Sequence, residues 1–104
     1  LILAFIQGPV PEQFERELGA SVAEFERDLR KAWPDGVLAV TPGQYRLYDG
    51  PLQLDIHVES IGVRRIGLLA IPRLAARYAF CGADESARLS LLTRLDRAMQ
   101  RGGG

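Results

Sequence analysis

Tyr45-Arg46-Leu47-Tyr48-Asp49-Gly50-Pro51-Leu52-Gln53-Leu54-Asp55-Ile56-His57-Val58-Glu59 is the stretch whose reading decides the fold. Asp49-Gly50 stands between two alternating runs, the strongest short-range hairpin signal a sequence carries. With Asp49-Gly50 as a two-residue turn, Tyr48 opposes Pro51, Leu47 opposes Leu52, Arg46 opposes Gln53 and Tyr45 opposes Leu54. Opposed residues share a face. Tyr45, Leu47, Leu52, Leu54, Ile56 and Val58 therefore line one side; Arg46, Tyr48, Gln53, Asp55, His57 and Glu59 line the other. The separation is that of a half-buried antiparallel sheet, and the rest of the chain has to cover its apolar face.

Working outward, residues 37–40 read as a short strand before the hairpin, ended by Thr41-Pro42-Gly43. After Glu59, Gly62 marks a turn. Strands are expected over 64–70 and 74–81, with a bend at Ile71-Pro72-Arg73. In the last strand Leu74, Ala76, Tyr78 and Phe80 share one face, and Arg73, Ala75, Arg77, Ala79 and Cys81 the other. Upstream, Leu1–Gln7 is apolar throughout, as in a strand buried on both faces. Phe14, Leu18, Val22, Phe25, Leu29 and Trp33 recur at helical spacing. Pro11 suits a first helical turn, Gly19 a C-terminal cap, and Ser21-Val22-Ala23-Glu24 is a capping box. The expectation is two helices, 11–18 and 22–33. Asp84 caps a final helix striped by Ala87, Leu91, Leu95 and Ala98, with Leu92 and Met99 beside them. Arg101-Gly102-Gly103-Gly104 ends it.

The order β-α-α-β-β-β-β-β-α predicts a two-layer α+β domain, with helices on one face of a meandering antiparallel sheet of about six strands. Residues 1–101 form this single domain and 102–104 a flexible glycine tail. At 104 residues and 47% hydrophobic, the chain can bury one core.

Thirteen basic and thirteen acidic residues cancel. No net field draws the protein to nucleic acid or anionic lipid, and neither is expected as a partner. Residues 1–52 hold 5 Lys/Arg against 8 Asp/Glu, and residues 53–104 hold 8 against 5. The halves, at −3 and +3, suit internal pairing or a head-to-tail contact. Twelve of the thirteen basic residues are Arg, which with abundant Ala, Leu and Gly reads as coding bias rather than phosphate recognition. One cysteine excludes an intrachain disulfide framework and fits a reducing compartment, so a cytoplasmic location is expected. No run approaches the length of a membrane span.

Several groupings carry possible chemistry. Asp55, His57 and Glu59 alternate onto one face, where they could bind a metal or pair as base and orienter. Their spacing of about 6–7 Å along the strand is too wide for all three to reach one ion, and charged residues are the ordinary dress of an exposed sheet face. Arg46 and Tyr48 lie one strand over. Arg73 and Arg77 project outward and could receive an anion or an acidic surface, or pair with Asp55 or Glu59. Cys81 and His57, the only Cys and the only His, fall on the same face, but a strand between them would hold them about 10 Å apart. The terminal Gly run follows a helix rather than preceding one, which is the wrong place for a phosphate cradle. Trp33, Phe14, Phe25 and Phe80 fall on inward faces as core.

Ile66-Gly67-Leu68-Leu69-Ala70-Ile71-Pro72 is apolar on both faces. It is either a covered central strand or an edge that pairs with a second copy, because an uncovered apolar strand is an aggregation hazard. A homodimer covering the outer sheet face would remove the hazard. The reading that results is a non-catalytic binding or assembly module, with Arg46, Tyr48, Asp55, His57, Glu59, Arg73 and Arg77 on its contact face and no cofactor. The alternative is a small enzyme or ligand-binding protein with His57 as acid/base, Asp55 or Glu59 as orienter, and Arg73 and Arg77 anchoring an anionic small molecule.

Overall fold

Alternation in residues 44–58 sets the architecture, and the computed structural model of the chain shows how it is covered. The structure describes residues 9–103, with side chains up to Met99. The strand expected over Leu1–Gln7 lies outside them. Among the described residues five strands form one antiparallel sheet: β1 (Gln13–Leu18), β2 (Leu38–Thr41), β3 (Gln44–Asp49), β4 (Leu52–Ile66) and β5 (Leu69–Cys81). Their spatial order is β1-β5-β4-β3-β2. Two helices, α1 (Val22–Ala32) and α2 (Glu85–Gly103), complete an α+β fold. The final helix runs two residues past its expected end at Arg101.

The hairpin is present with its two faces as read, but its turn is Gly50-Pro51 rather than Asp49-Gly50. Asp49 pairs with Leu52, Tyr48 with Gln53, Leu47 with Leu54 and Arg46 with Asp55. Gly50 carries φ +61° at the first turn position, where a Gly-X hairpin turn needs it. Moving the pairing by two residues leaves every side chain on its original face. Tyr45, Leu47, Leu52, Leu54, Ile56 and Val58 are all buried.

Both helices lie on that apolar side. Phe25, Leu29 and Ala32 of α1, and Leu91, Leu92 and Leu95 of α2, are buried against the sheet. The Ser21 hydroxyl accepts from the Glu24 amide at 3.1 Å and the Glu24 carboxylate accepts from the Ser21 amide at 2.8 Å, the capping box read from the sequence. At α2, Asp84 accepts from the Ala87 amide at 2.9 Å. The Tyr45 hydroxyl reaches Glu26 at 3.0 Å and ties β3 to α1. Burial raises the Tyr45 phenol above its ordinary value, and the adjacent carboxylate adds to the shift.

Three expectations are corrected. The stretch 11–18 is not a helix; residues 13–18 are edge strand β1, paired with β5 from Gln13–Ala79 to Leu18–Leu74. Its inward residues are Phe14, Arg16 and Leu18. Arg16 sits at 5.3 and 5.1 Å from the Phe14 and Tyr78 ring centres and donates to Asp96 of α2 at 2.9 Å. Burial raises the Asp96 carboxyl above its ordinary value, although Arg16 pulls the other way. A second correction is that Gly62 is no turn: it follows a bulge at Ser60–Gly62 inside β4, which continues to Ile66. The third concerns the bend at Ile71-Pro72-Arg73, which is continuous strand with Pro72 opposite Val63. Beyond Leu74 β5 has lost its β1 neighbour, and such an edge tolerates Pro. The turn between β4 and β5 is Gly67-Leu68, with Ile66 opposite Leu69 and φ +59° at Gly67, the same Gly-X design as the first hairpin.

β4 and β5 thus outrun their neighbours. β3 pairs with β4 only as far as His57, and β1 stops at Leu74 on β5. The remainder is a two-stranded arm, roughly Glu59–Arg73. Residues 66–72 are not a central strand covered on both sides: they are the arm's tip and return strand, and among the described residues Leu69–Pro72 pair with β4 alone, as an uncovered edge.

Candidate functional site

Two surfaces remain once the core is filled: the outer face of the sheet and the arm. The outer face is a concave trough because β5, between β1 and the central β4, presents the small residues Ala75 and Ala79 between rows of long polar side chains. A groove of about 630 Å³ crosses it from Glu15 on β1, over Ala79 and Arg77 on β5 and His57 on β4, to Gln44 and Val40.

Most outer-face charges are matched within the chain. Arg46 donates to both Asp55 oxygens, at 2.6 and 3.2 Å, and Gln53 donates to the same carboxylate at 3.1 Å. The carboxylate raises the Arg46 guanidinium further above its already high ordinary value. Arg73 makes a bidentate pair with Glu17 across β5 and β1, at 2.8 and 3.0 Å. That hydrogen bond holds the Glu17 carboxyl below its usual range. Exposed pairs of this kind add little to stability. They fix geometry more than they stabilise the fold.

His57 and Arg77 face each other across one rung of β4 and β5. An Arg77 terminal nitrogen lies 2.8 Å from His57 Nδ1. Guanidinium has only donors, so Nδ1 accepts and the ring proton sits on Nε2. Glu59 is 3.7 Å from Arg77. The expected orienter of His57 is therefore absent: Asp55 is held by Arg46 and Gln53, Glu59 is turned to Arg77, and the ring presents a donor to the groove rather than a base. Among the described residues, no three of His, Cys, Asp and Glu converge as a metal site. Cys81 and His57 do lie on the outer face, on adjacent strands, but Cys81 pairs with Gln53, four residues or about 13 Å along β4 from His57.

Of the residues singled out in the sequence, Arg46, Asp55, His57 and Arg77 meet in the groove. Glu59 borders it through Arg77, Tyr48 stands exposed near the hairpin turn, and Arg73 lies at the base of the arm. Sequence reasoning missed Glu15 and Gln44 of the groove, and with them β1 as one of its walls. The signal was the alternation Gln13-Phe14-Glu15-Arg16-Glu17-Leu18, disguised by the inward Arg16.

The arm is the other surface. Ile61, Val63, Ile66, Leu68 and Leu69 are exposed along it, Leu68 at the tip completely so. Arg64 and Arg65 lie between them. By the register Arg64, Ile66, Leu69 and Ile71 project on the same side as the outer face, and Val63, Arg65, Ala70 and Pro72 on the other. An isolated two-stranded ribbon is marginal in water. Apolar residues on ordered strands beyond the core mark a contact surface.

No protein-family model matches the chain, and no curated protein matches it. Among the described residues, no helix is long and apolar enough to cross a membrane.

Proposed function

We propose that the protein is a non-catalytic binding and assembly module of the cytoplasm that self-associates as a homodimer through its arm and outer sheet face. The single observation that carries this is the β4–β5 arm: five large apolar side chains, 40 to 106% exposed, on strands that outrun every other element. The outer face supports it, because Arg46, Asp55, Arg73 and Glu17 are already paired within the chain and need no external counter-ion. A cytoplasmic location rests on the lone, free Cys81. Light scattering on the full chain tests the reading. A mass near twice 11.5 kDa is expected, and a monomer at about 500 µM contradicts it.

The His57–Arg77 rung favours a second reading, a groove for a small anion, since Nε2–H and the free guanidinium donors face the same space. Glu15 and Glu59 beside Arg77 weigh against it. Adding acetate or phosphate should leave the His57 and Arg77 signals unmoved in an NMR spectrum, and His57→Ala should leave the dimer intact. A saturable shift would put the anion reading first.

A further inference from the structure

We propose that two copies embrace reciprocally, the arm tip of each lying in the outer-face groove of the other. This rests on the assembly reading and specifies which surfaces meet. The geometry comes from counting along β4. From the Gly62–Arg73 rung, four rungs lead out to Ile66–Leu69 at the tip and, with the bulge at Ser60–Gly62 taking up one residue, four lead back to His57–Arg77. A two-fold axis over the Gly62–Arg73 rung, with outer sides facing, places each tip above the other copy's His57–Arg77 rung. Sheets packed face to face lie about 10 Å apart, which is the depth one layer of side chains fills.

The two surfaces fit in shape and charge. The Ile66–Leu69 rung comes over the aliphatic stem of Arg77 and the His57 ring, and Leu68, one step further out, reaches toward the small groove floor at Ala79. Ile66 and Leu69 already point to the outer side. Arg64, also on that side, comes over the other copy's Glu59, which in its own chain is held only at 3.7 Å by Arg77. Glu17 stands on the same rung as Glu59, each paired with Ala75 of β5.

The area suffices. The tip residues Ile66, Leu68 and Leu69, 52, 106 and 63% exposed, offer roughly 400 Å² of apolar surface, so two arm–groove contacts bury on the order of 1,600 Å² in total, a standard-sized interface. An arm-on-arm contact would bring Arg64 and Arg65 of both copies together and leave the grooves empty.

The test uses two variants of the full chain and their mixture. Leu68→Asp breaks the tip, and because Leu68 is fully exposed in the single chain the variant folds. Ala79→Arg fills the groove; Gln44→Arg at the groove rim replaces it if its thermal melt shows misfolding. Each alone should weaken dimerisation about tenfold or more. Mixed, they should recover a heterodimer, because one copy then supplies an intact arm and the other an intact groove. A monomeric wild-type chain overturns the assembly reading and this inference together. A wild-type dimer whose variants do not complement overturns only the arm-in-groove arrangement and leaves assembly standing. So does a dimer indifferent to Leu68→Asp.

Discussion

β4 and β5 are one pair of strands with two environments. From Leu52 to Val58 and from Leu74 to Phe80, every second side chain is buried under the helices. From Glu59 to Ile66, and at Leu69 and Ala70, every residue is exposed, with the same hydrogen-bonded pairing in place. The body shows what a strand looks like when one face has a fixed cover: strict alternation, polar outward, apolar inward. The arm shows the composition of strands without one, with Ile, Val and Leu on both sides and two arginines between. The contrast teaches that pairing and covering are separate. The Gly-X turns and the ladder make the hairpin, while the helices decide which length of it is core.

Substitutions at equal chemistry but different cover should separate the two regions most. Leu54→Ala in the body, where Leu54 is fully buried, should lose about 2–5 kcal/mol in chemical denaturation. Leu68→Ala at the arm tip should change the stability of the single chain by less than about 0.5 kcal/mol. Equal losses would mean that the arm is packed against its own body.

The next largest effect is alkaline. Tyr78, buried in the body, has its phenol pushed up to about 12 from 10.0, first by burial, with Asp96 adding and Arg16 opposing. The folded chain therefore keeps a proton that the unfolded chain releases. Stability falls as pH rises from 10 to about 12, by on the order of 2–3 kcal/mol from this group. Tyrosinate absorbance should show Tyr78 ionising only as the body unfolds; ionisation in a still-folded chain would contradict the burial.

Ser21→Ala removes the cap of a helix that covers only the body, and should cost about 1 kcal/mol. Amide exchange should quicken in α1 and narrow the difference between arm and body rates. The smallest effect lies at the junction. Glu17→Gln breaks the pair with Arg73, and the lowered Glu17 carboxyl contributes its stability above pH 4.5, losing it as pH falls through the folded value. The variant and wild type should differ slightly at neutral pH and converge in acid, where melting curves would overlay. Asp96, with its carboxyl raised, works in the opposite sense, its contribution lost as pH rises.

Much of the body was legible. Alternation at 44–58 fixed the core face even though the turn was placed one residue early, because a two-residue change of pairing keeps parity. Ser21 and Glu24 marked α1, and Asp84 marked α2. β1 was not legible for a definite reason: its inward Arg16 is tolerable only with Asp96, eighty residues on, and beside the stacked Phe14 and Tyr78 rings of β1 and β5. Phe14 and Leu18, four apart, then joined the helical stripe of Phe25 and Leu29 by coincidence. The arm was hidden because Gly62 and Pro72 looked like breaks; both are tolerated where strands have only each other. At the candidate site, the outward residues were identified by parity. Which of them pair, Arg46 with Asp55 rather than His57 with Asp55, depends on the register and could be read only from the fold.

Hydrogen exchange along β4, recorded on dilute and concentrated samples, tests the arm's role most directly. The account predicts that the arm amides of residues 61–66 bonded to β5 exchange fast in dilute solution and become protected at high concentration, while Leu54–Val58 stay protected in both. Arm amides as slow as the body's at every concentration, or equally fast at every concentration, would contradict it.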